Sequence, residues 1–484
     1  MANTHTIYYR DDISSFQIGM GQMSIGPKKK RLTSEYRQLF KETWCKGWIF
    51  EWKSLFKITF KGHFHPGDNT SYDKYMVMSV KLEKSNQVSF WTPKQPEVGK
   101  FLRYFDGIER DAPLLFQPLT IRGMTISNRI GTSPMCTYSS EKFEANKYHL
   151  VHYGSISSGG PGLVIVESSA IDQIGASSPN DLGLFTDEQA ITHKENIVDW
   201  AHVHNIKIGV QLGHAGRKAS LASPLNGQLG VYVPNEEGGW LDELVAPSAV
   251  PFDDSGVIPN ELTLTQIEKT IKQYGISAKL AVEKAGYDFV EIHAGYGYLP
   301  CQFYTATANK RNDSYGGPFE NRIRFLLEVI DEVRSSIPDS MPIFLRLCAD
   351  ENVEDPDGWK LNDTIRLLPF LVQHGVDVID VCSGGLNSKE YGWDHPNFLP
   401  PREIAKRIKE AAHSKILVAS TGGLQDGATA NSLLESNTLD ILLIGRVYLK
   451  NSGIIWQLAD DLGIQLQQAK QKAWIFDSEG HLKK

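Results

Sequence analysis

The chain has 484 residues, of which 41% are hydrophobic and 22% charged, and its formal net charge is −7. That balance excludes a disordered, fibrous or membrane-embedded polypeptide. A mildly acidic chain lacks the basic face that phosphate backbones require, so a small molecule is a better expected partner than nucleic acid.

The amino terminus, MANTHTIYYRDD, lacks the basic start and apolar core of a secretory signal, and no run of about 18 apolar residues follows anywhere. A cytoplasmic location with no membrane partner is therefore expected. Residues 1–77 form an extension of uncertain structure, in which WCKGWIFEWKSLFKITFKGHF mixes aromatic and basic residues without a clean period of 2 or 3.6. Gly26-Pro-Lys-Lys-Lys-Arg31 reads as a solvated basic patch. Trp48, Phe50, Trp52 and Phe56 fit a small accessory packing unit as readily as a membrane surface. A translation start at Met76 or Met78 would make the whole extension dispensable. Residues 78–113, rich in Pro, Lys and Glu, read as an extended lead-in to residues 114–455, and 456–484 as a carboxyl-terminal tail.

From Ile130 onward eight short apolar runs recur: IGTSPM at 130, LVIVESSA at 163, IKIGVQLGHA at 206, FVEIHAG at 289, PIFLRLCA at 342, VIDVCSGG at 378, ILVASTGG at 416 and ILLIGRVYL at 441. Near-continuous apolarity marks strands buried on both faces. Helical stretches separate them at Asp187 to His204, Thr265 to Ala285, Glu320 to Ser336, Asn362 to His374 and Arg402 to His413. Thr263 with Glu268 following looks like a capping start, and Gly286 and Gly375 stand where helices should stop. Regular β-then-α alternation predicts an α/β fold, a (β/α)₈ TIM barrel with an amino-terminal extension of unknown fold, whose strand ends converge on one pocket. The two long connections, Arg217 to Leu262 and Gly295 to Pro318, leave that same face, and the first has the composition of a lid.

Nearly every run ends in a residue able to do chemistry. Ser420-Thr-Gly-Gly423 and Ile444-Gly-Arg446 combine glycines with a cation after strands seven and eight, a common phosphate site. His293 can donate to a substrate oxygen, and Tyr298 can deliver a proton. Arg346, pointing into an apolar barrel mouth, needs an anionic or electron-rich partner. Gln211 offers donor and acceptor to a planar heterocycle. His149 and His152 lack a third ligand and read as helix-surface or core residues, Ser383 and Gly384 as a tight turn. Five cysteines, Cys45, Cys136, Cys301, Cys348 and Cys382, are widely spaced and never in C-x-x-C, so neither a disulfide framework nor a metal or iron–sulfur site is expected.

LFQPLTIRGMTISNRIGTSPMCTYSS, VQLGHAGRKAS, the stretch from VEIHAGYGYL to RNDSYGGPFENR, DVCSGGLN and LLIGR resemble the old yellow enzyme family of flavin-dependent ene-reductases, over about Leu114 to Leu449. SPMC followed by Tyr138 is most similar to the thermophilic-like subgroup. The resemblance implies non-covalent FMN across the barrel mouth, reduced by NADPH and oxidised by an enone. By matching position, Ser133, Pro134, Met135, Cys136 and Ser168 would contact the isoalloxazine, Gln211 its pyrimidine edge, and Arg346 the N1 and O2 side. Gly422, Gly445 and Arg446 would hold the phosphate. Tyr298 would protonate the α-carbon, His293 would polarise the carbonyl, and Tyr138 and Tyr296 would line the substrate side.

This chain departs from that family pattern in three places. Tyr296 stands where relatives have His or Asn; a phenol is bulkier and cannot become cationic, which predicts an altered or narrowed substrate range. LPCQFYTATANKR replaces a Leu-rich HQFLSP-like run, and no arginine follows Arg446 to reach a neighbouring subunit's site, although homo-oligomerisation stays open. The expected function is an FMN-dependent NAD(P)H oxidoreductase reducing activated C=C bonds. Flavin-dependent oxidation, redox-neutral isomerisation of a biosynthetic intermediate, or non-catalytic flavin binding are its alternatives.

Overall fold

Branched and leucine-rich runs, apolar on both faces, make eight parallel strands: β1 Ile130–Thr132, β2 Leu163–Ala170, β3 Lys207–Gly213, β4 Phe289–Ala294, β5 Ile343–Cys348, β6 Val378–Cys382, β7 Leu417–Thr421 and β8 Ile441–Ile444. Each pairs with the next, and β8 closes onto β1, so the computed structural model is a (β/α)₈ barrel without a sheet edge. It describes residues 82–105, 108–228, 230–253, 257–421 and 426–476, and the backbone of Ser15–Gln17 and Gln22–Ser24, which pair antiparallel. The barrel belongs to the compact unit Gln95–Ala473. Most of the extension at residues 1–77, and Gly422, lie outside the described residues.

The barrel floor is apolar. Leu163, Ile165, Phe289, Phe344, Val378, Ala419, Ile441 and Leu443 cluster inside it, closed off by the hairpin Leu119–Ile121 and Met124–Ile126. Phe289 and Phe344 pack with ring centroids 4.5 Å apart. Space there is fully used, because a Cβ on Gly209 would lie 2.4 Å from the Phe289 ring. A second, larger cluster fills the layer between the strands and the surrounding helices.

One expectation needs correction. ILLIGRVYL is not one strand: β8 ends at Ile444, Gly445 turns the chain, and Arg446–Lys450 is helical. Apolar runs of that length suit either element, and the helical turn is visible in Tyr448 being buried beside an exposed Leu449. Lys147–Ser157 is a helix that periodicity did not announce. Its signal is local, a capping box in which Asn146 accepts from the first turn and the His149 imidazole accepts from the Asn146 N–H. The stretch Asp187 to His204 is helical with a π-turn at Lys194–Val198, and Glu320 to Ser336 divides into Phe319–Arg322 and Arg324–Ser336.

Phe289→Ala should lower unfolding free energy by about 3–5 kcal/mol, the usual cost of emptying a large aromatic site that cannot collapse. Equilibrium denaturation in guanidinium, compared with a surface control, measures it.

Candidate active site

Register places the polar residues before any loop does. His293 pairs with Arg346 across β4 and β5, Arg346 with Asp380 across β5 and β6, and Gln211 with Glu291 across β3 and β4. Since side chains alternate faces along a strand, these rows stack above the apolar floor at the carboxyl end. Gln211 donates to Glu291 Oε1 at 2.7 Å. Burial, then the Asp380 charge, raises the Glu291 carboxyl above its ordinary range.

Arg346 is the centre of this layer. Its Nη1 donates to Ser133 Oγ at 3.0 Å and lies 3.2 Å from Asp380 Oδ2, while Nη2 donates to the Tyr296 hydroxyl at 3.2 Å. Burial opposes the guanidinium charge, but Asp380, Tyr296 and Cys382 more than offset it, so Arg346 stays cationic. Its Nε is a buried donor with no partner among the described residues.

His293 and Tyr298 follow at the end of β4, their rings 4.3 Å apart. The Gly295 N–H donates to His293 Nδ1 at 3.2 Å, which leaves the proton of the neutral ring on Nε2. Burial, reinforced by Arg346 and Lys218, holds the imidazole well below its usual pKa, and burial raises the Tyr298 phenol. This pair is therefore a neutral N–H donor beside a protonated phenol at physiological pH.

The loop after β1 carries Ser133, buried, and Pro134, Met135, Cys136 and Tyr138, half-buried. Its anchor is Glu167 on β2, which accepts from the Thr137 backbone N–H at 2.6 Å, the Thr137 hydroxyl at 3.0 Å and the Tyr153 hydroxyl at 3.0 Å. Burial pushes Glu167 to about 7 despite those donors. Burial also raises the Cys136 thiol, helped by Asp181 and Glu167, so it stays protonated. Ser168 lies against β3, where a Cβ on Gly213 would come within 2.5 Å of its hydroxyl.

Loops complete a cavity of about 330 Å³ whose walls include Tyr138, Lys218, Tyr232, Phe252, Tyr296 and Tyr298. Lys218 is a clamp. Its Nζ donates to the Tyr296 and Gly385 carbonyls at 2.8 and 2.9 Å and sits 4.4 Å from the centre of the Phe252 ring, tying three loops together. Tyr296 occupies a left-handed conformation, φ 48°, between two glycines. Gly445 lies beside Ser133 and Met135, whereas Arg446 is exposed at the start of its short helix.

Three site carboxylates escaped the sequence reading: Glu167, Glu291 and Asp380. Each is a charge embedded in an apolar strand run, and that incongruity was the available signal. Ser177 and Asp181, on the loop after β2, carried no pattern at all.

Barrel, buried cation and neutral donor–acid pair meet at the carboxyl end of the strands, the face on which TIM-barrel enzymes carry their active sites. The chain belongs to the NADH:flavin oxidoreductase / NADH oxidase family, whose model matches residues 114–464. It is 39% identical over 376 residues to an NADH:flavin oxidoreductase of Gibberella zeae, covering 76% of this chain and 90% of that protein. An NADPH dehydrogenase of Bacillus cytotoxicus is 35% identical over 361 residues, 74% of this chain and 95% of its own length. Among solved structures, Old Yellow Enzyme from Pichia sp. AKU4542 aligns with a TM-score of 0.57 at 26% identity, covering 73% of this chain and 88% of that one. The protein is accordingly an NAD(P)H-oxidising enzyme, and the family implies FMN as its cofactor.

Glu167 gives a pH prediction with a definite sign. A carboxyl whose pKa rises from 4.5 to about 7 on folding binds protons more tightly in the native state, so its contribution to stability is present below pH 4.5 and lost as pH rises through 7. Glu167→Gln should therefore flatten the fall in melting temperature between about pH 5 and pH 7, read by calorimetry on both proteins.

Proposed function

We propose that the enzyme reduces activated C=C bonds of small α,β-unsaturated carbonyl compounds, with FMN as the resident cofactor and NADPH as donor. FMN, when bound, supplies hydride transfer. The residues fit that group: Arg346 Nε is a buried donor in want of an acceptor, at the carboxyl end of the barrel beside Ser133 and Gln211.

In this reading Ser133, Pro134, Met135, Cys136 and Ser168 would border the ring and Gln211 its pyrimidine edge, while Arg346 meets negative charge that grows there. Gly422, Gly445 and Arg446 would hold the phosphate. His293 Nε2–H hydrogen-bonds the substrate carbonyl oxygen, Tyr298 releases its proton to the α-carbon, and Tyr138 assists from the cavity wall. The single observation behind this assignment is the neutral His293 donor packed against the protonated Tyr298 phenol beside the cavity. A second reading, oxidation or redox-neutral isomerisation at the same site, draws on Tyr296, whose hydroxyl is already engaged by Arg346.

The visible spectrum of purified protein decides between them: a yellow chromophore bleached by NADPH under anaerobic conditions and restored by cyclohexenone or maleimide is expected. Bleaching that no enone reverses would overturn the reductase assignment. Tyr298→Phe should leave bleaching within about twofold and slow enone reoxidation by about 100-fold, the usual worth of a positioned acid. Tyr296→Asn, which tolerates the left-handed backbone, should raise kcat/KM for cyclohexenone about tenfold by adding one carbonyl hydrogen bond. Steady-state kinetics across an enone panel measures the gain.

A further inference from the structure

The polar layer under the barrel mouth holds one more acid than its cation can neutralise. Glu291 on β4 and Asp380 on β6 stand on the two strands that flank β5, and both are fully buried, with Arg346 on β5 between them. Arg346 Nη1 lies 3.2 Å from Asp380 Oδ2, whereas no cation forms an ion pair with Glu291 among the described residues. Glu291 Oε1 accepts one amide hydrogen bond, from Gln211 Nε2 at 2.7 Å, and Oε2 has no partner among the described residues. The Asp380 oxygens likewise have no hydrogen bond there, only the guanidinium beside them.

Charge must balance in such a place. An ionised carboxylate without a counter-ion in an apolar interior is far more costly than a neutral carboxyl. One guanidinium can neutralise one acid, and the acid it touches is Asp380. The second avoids the cost by keeping its proton. Burial, then the Asp380 charge, raises the Glu291 carboxyl in the same sense.

We propose that Glu291 is the positioning residue of Gln211 and keeps its proton throughout, so that Arg346 and Asp380 form a neutral pair with no second anion beside it. This rests on FMN lying across the barrel mouth, with Gln211 at its pyrimidine edge and Arg346 meeting the negative charge that grows there. An ionised Glu291 would oppose that charge, and its proton removes the opposition. The groups facing Glu291 are Gln211 on β3, Arg346 on β5 and Asp380 on β6, while His293, two residues along β4, is neutral.

Infrared spectroscopy of the full-length protein tests the proton without any flavin. Isotopically labelled glutamate separates the carbonyl stretch of a protonated glutamic acid from that of aspartic acid. At neutral pH wild-type protein should show such a band, and Glu291→Gln should remove it, leaving only the share that belongs to Glu167. Asp380→Asn should remove it too, because Glu291 then becomes the counter-ion of Arg346 and must ionise. The second readout is the FMN dissociation constant of the full chain. Glu291→Leu should weaken binding about tenfold, because the Gln211 amide loses its acceptor, and Glu291→Gln, which keeps a carbonyl there without a charge, should stay within about threefold of wild type.

A glutamic acid band that is the same in Glu291→Gln as in wild type, or one that survives Asp380→Asn, overturns the proposal. So does Glu291→Gln weakening FMN as much as Glu291→Leu. Should Glu291→Leu not fold, the infrared pair decides alone. Wild-type protein that takes up no FMN overturns the cofactor reading instead, and the infrared band still judges the Glu291 proton on its own.

Discussion

The buried guanidinium of Arg346 is the constraint around which the site is arranged. A cation inside a barrel is tolerable only with its charge matched and its donors satisfied, and here Asp380 supplies the first while Ser133 and Tyr296 take two of the hydrogen bonds. Those partners come from β6, from the loop after β1 and from the loop after β4. One residue therefore couples three separate chain segments, and removing it would leave Asp380 buried beside Glu291 with no neutralising charge.

Above that layer the electrostatics favours neutral chemistry. Burial, reinforced by the Arg346 cation, suppresses protonation of His293, and burial keeps Tyr298 and Cys136 in their acid forms. Groups that are neutral and hydrogen-bonded can polarise or protonate without first changing charge state. Two buried carboxylates stand outside the cavity wall, Glu167 under the Cys136 loop and Asp181 behind Ser177, where they accept from and orient neighbouring donors. Lys218 and Arg217 play a corresponding mechanical part, with donors spent on backbone carbonyls of neighbouring loops.

Much of this was legible in the chain itself. Strand periodicity, the β-then-α order and the identity of Gln211, His293 and Arg346 near the strand ends follow from local pattern, because parallel strands buried on both faces need largely apolar runs and leave most polar residues towards the ends of those runs. The family resemblance followed from several independent short motifs that occur in order along Leu114 to Leu449. Local pattern failed where two elements share one signal, as in the apolar run after Ile444, and where a helix is set by its cap, as at Asn146.

What sequence determined by itself was the architecture, the face on which chemistry occurs and the residue types available there. Tertiary structure alone decided who touches whom: that the Tyr296 phenol lies on Arg346, that Glu167 holds Thr137 from 30 residues away, and that Ser177 and Tyr298 line one cavity. Those contacts join segments far apart along the chain, and their geometry depends on barrel closure and strand register. Neither is encoded in any window short enough to show a period.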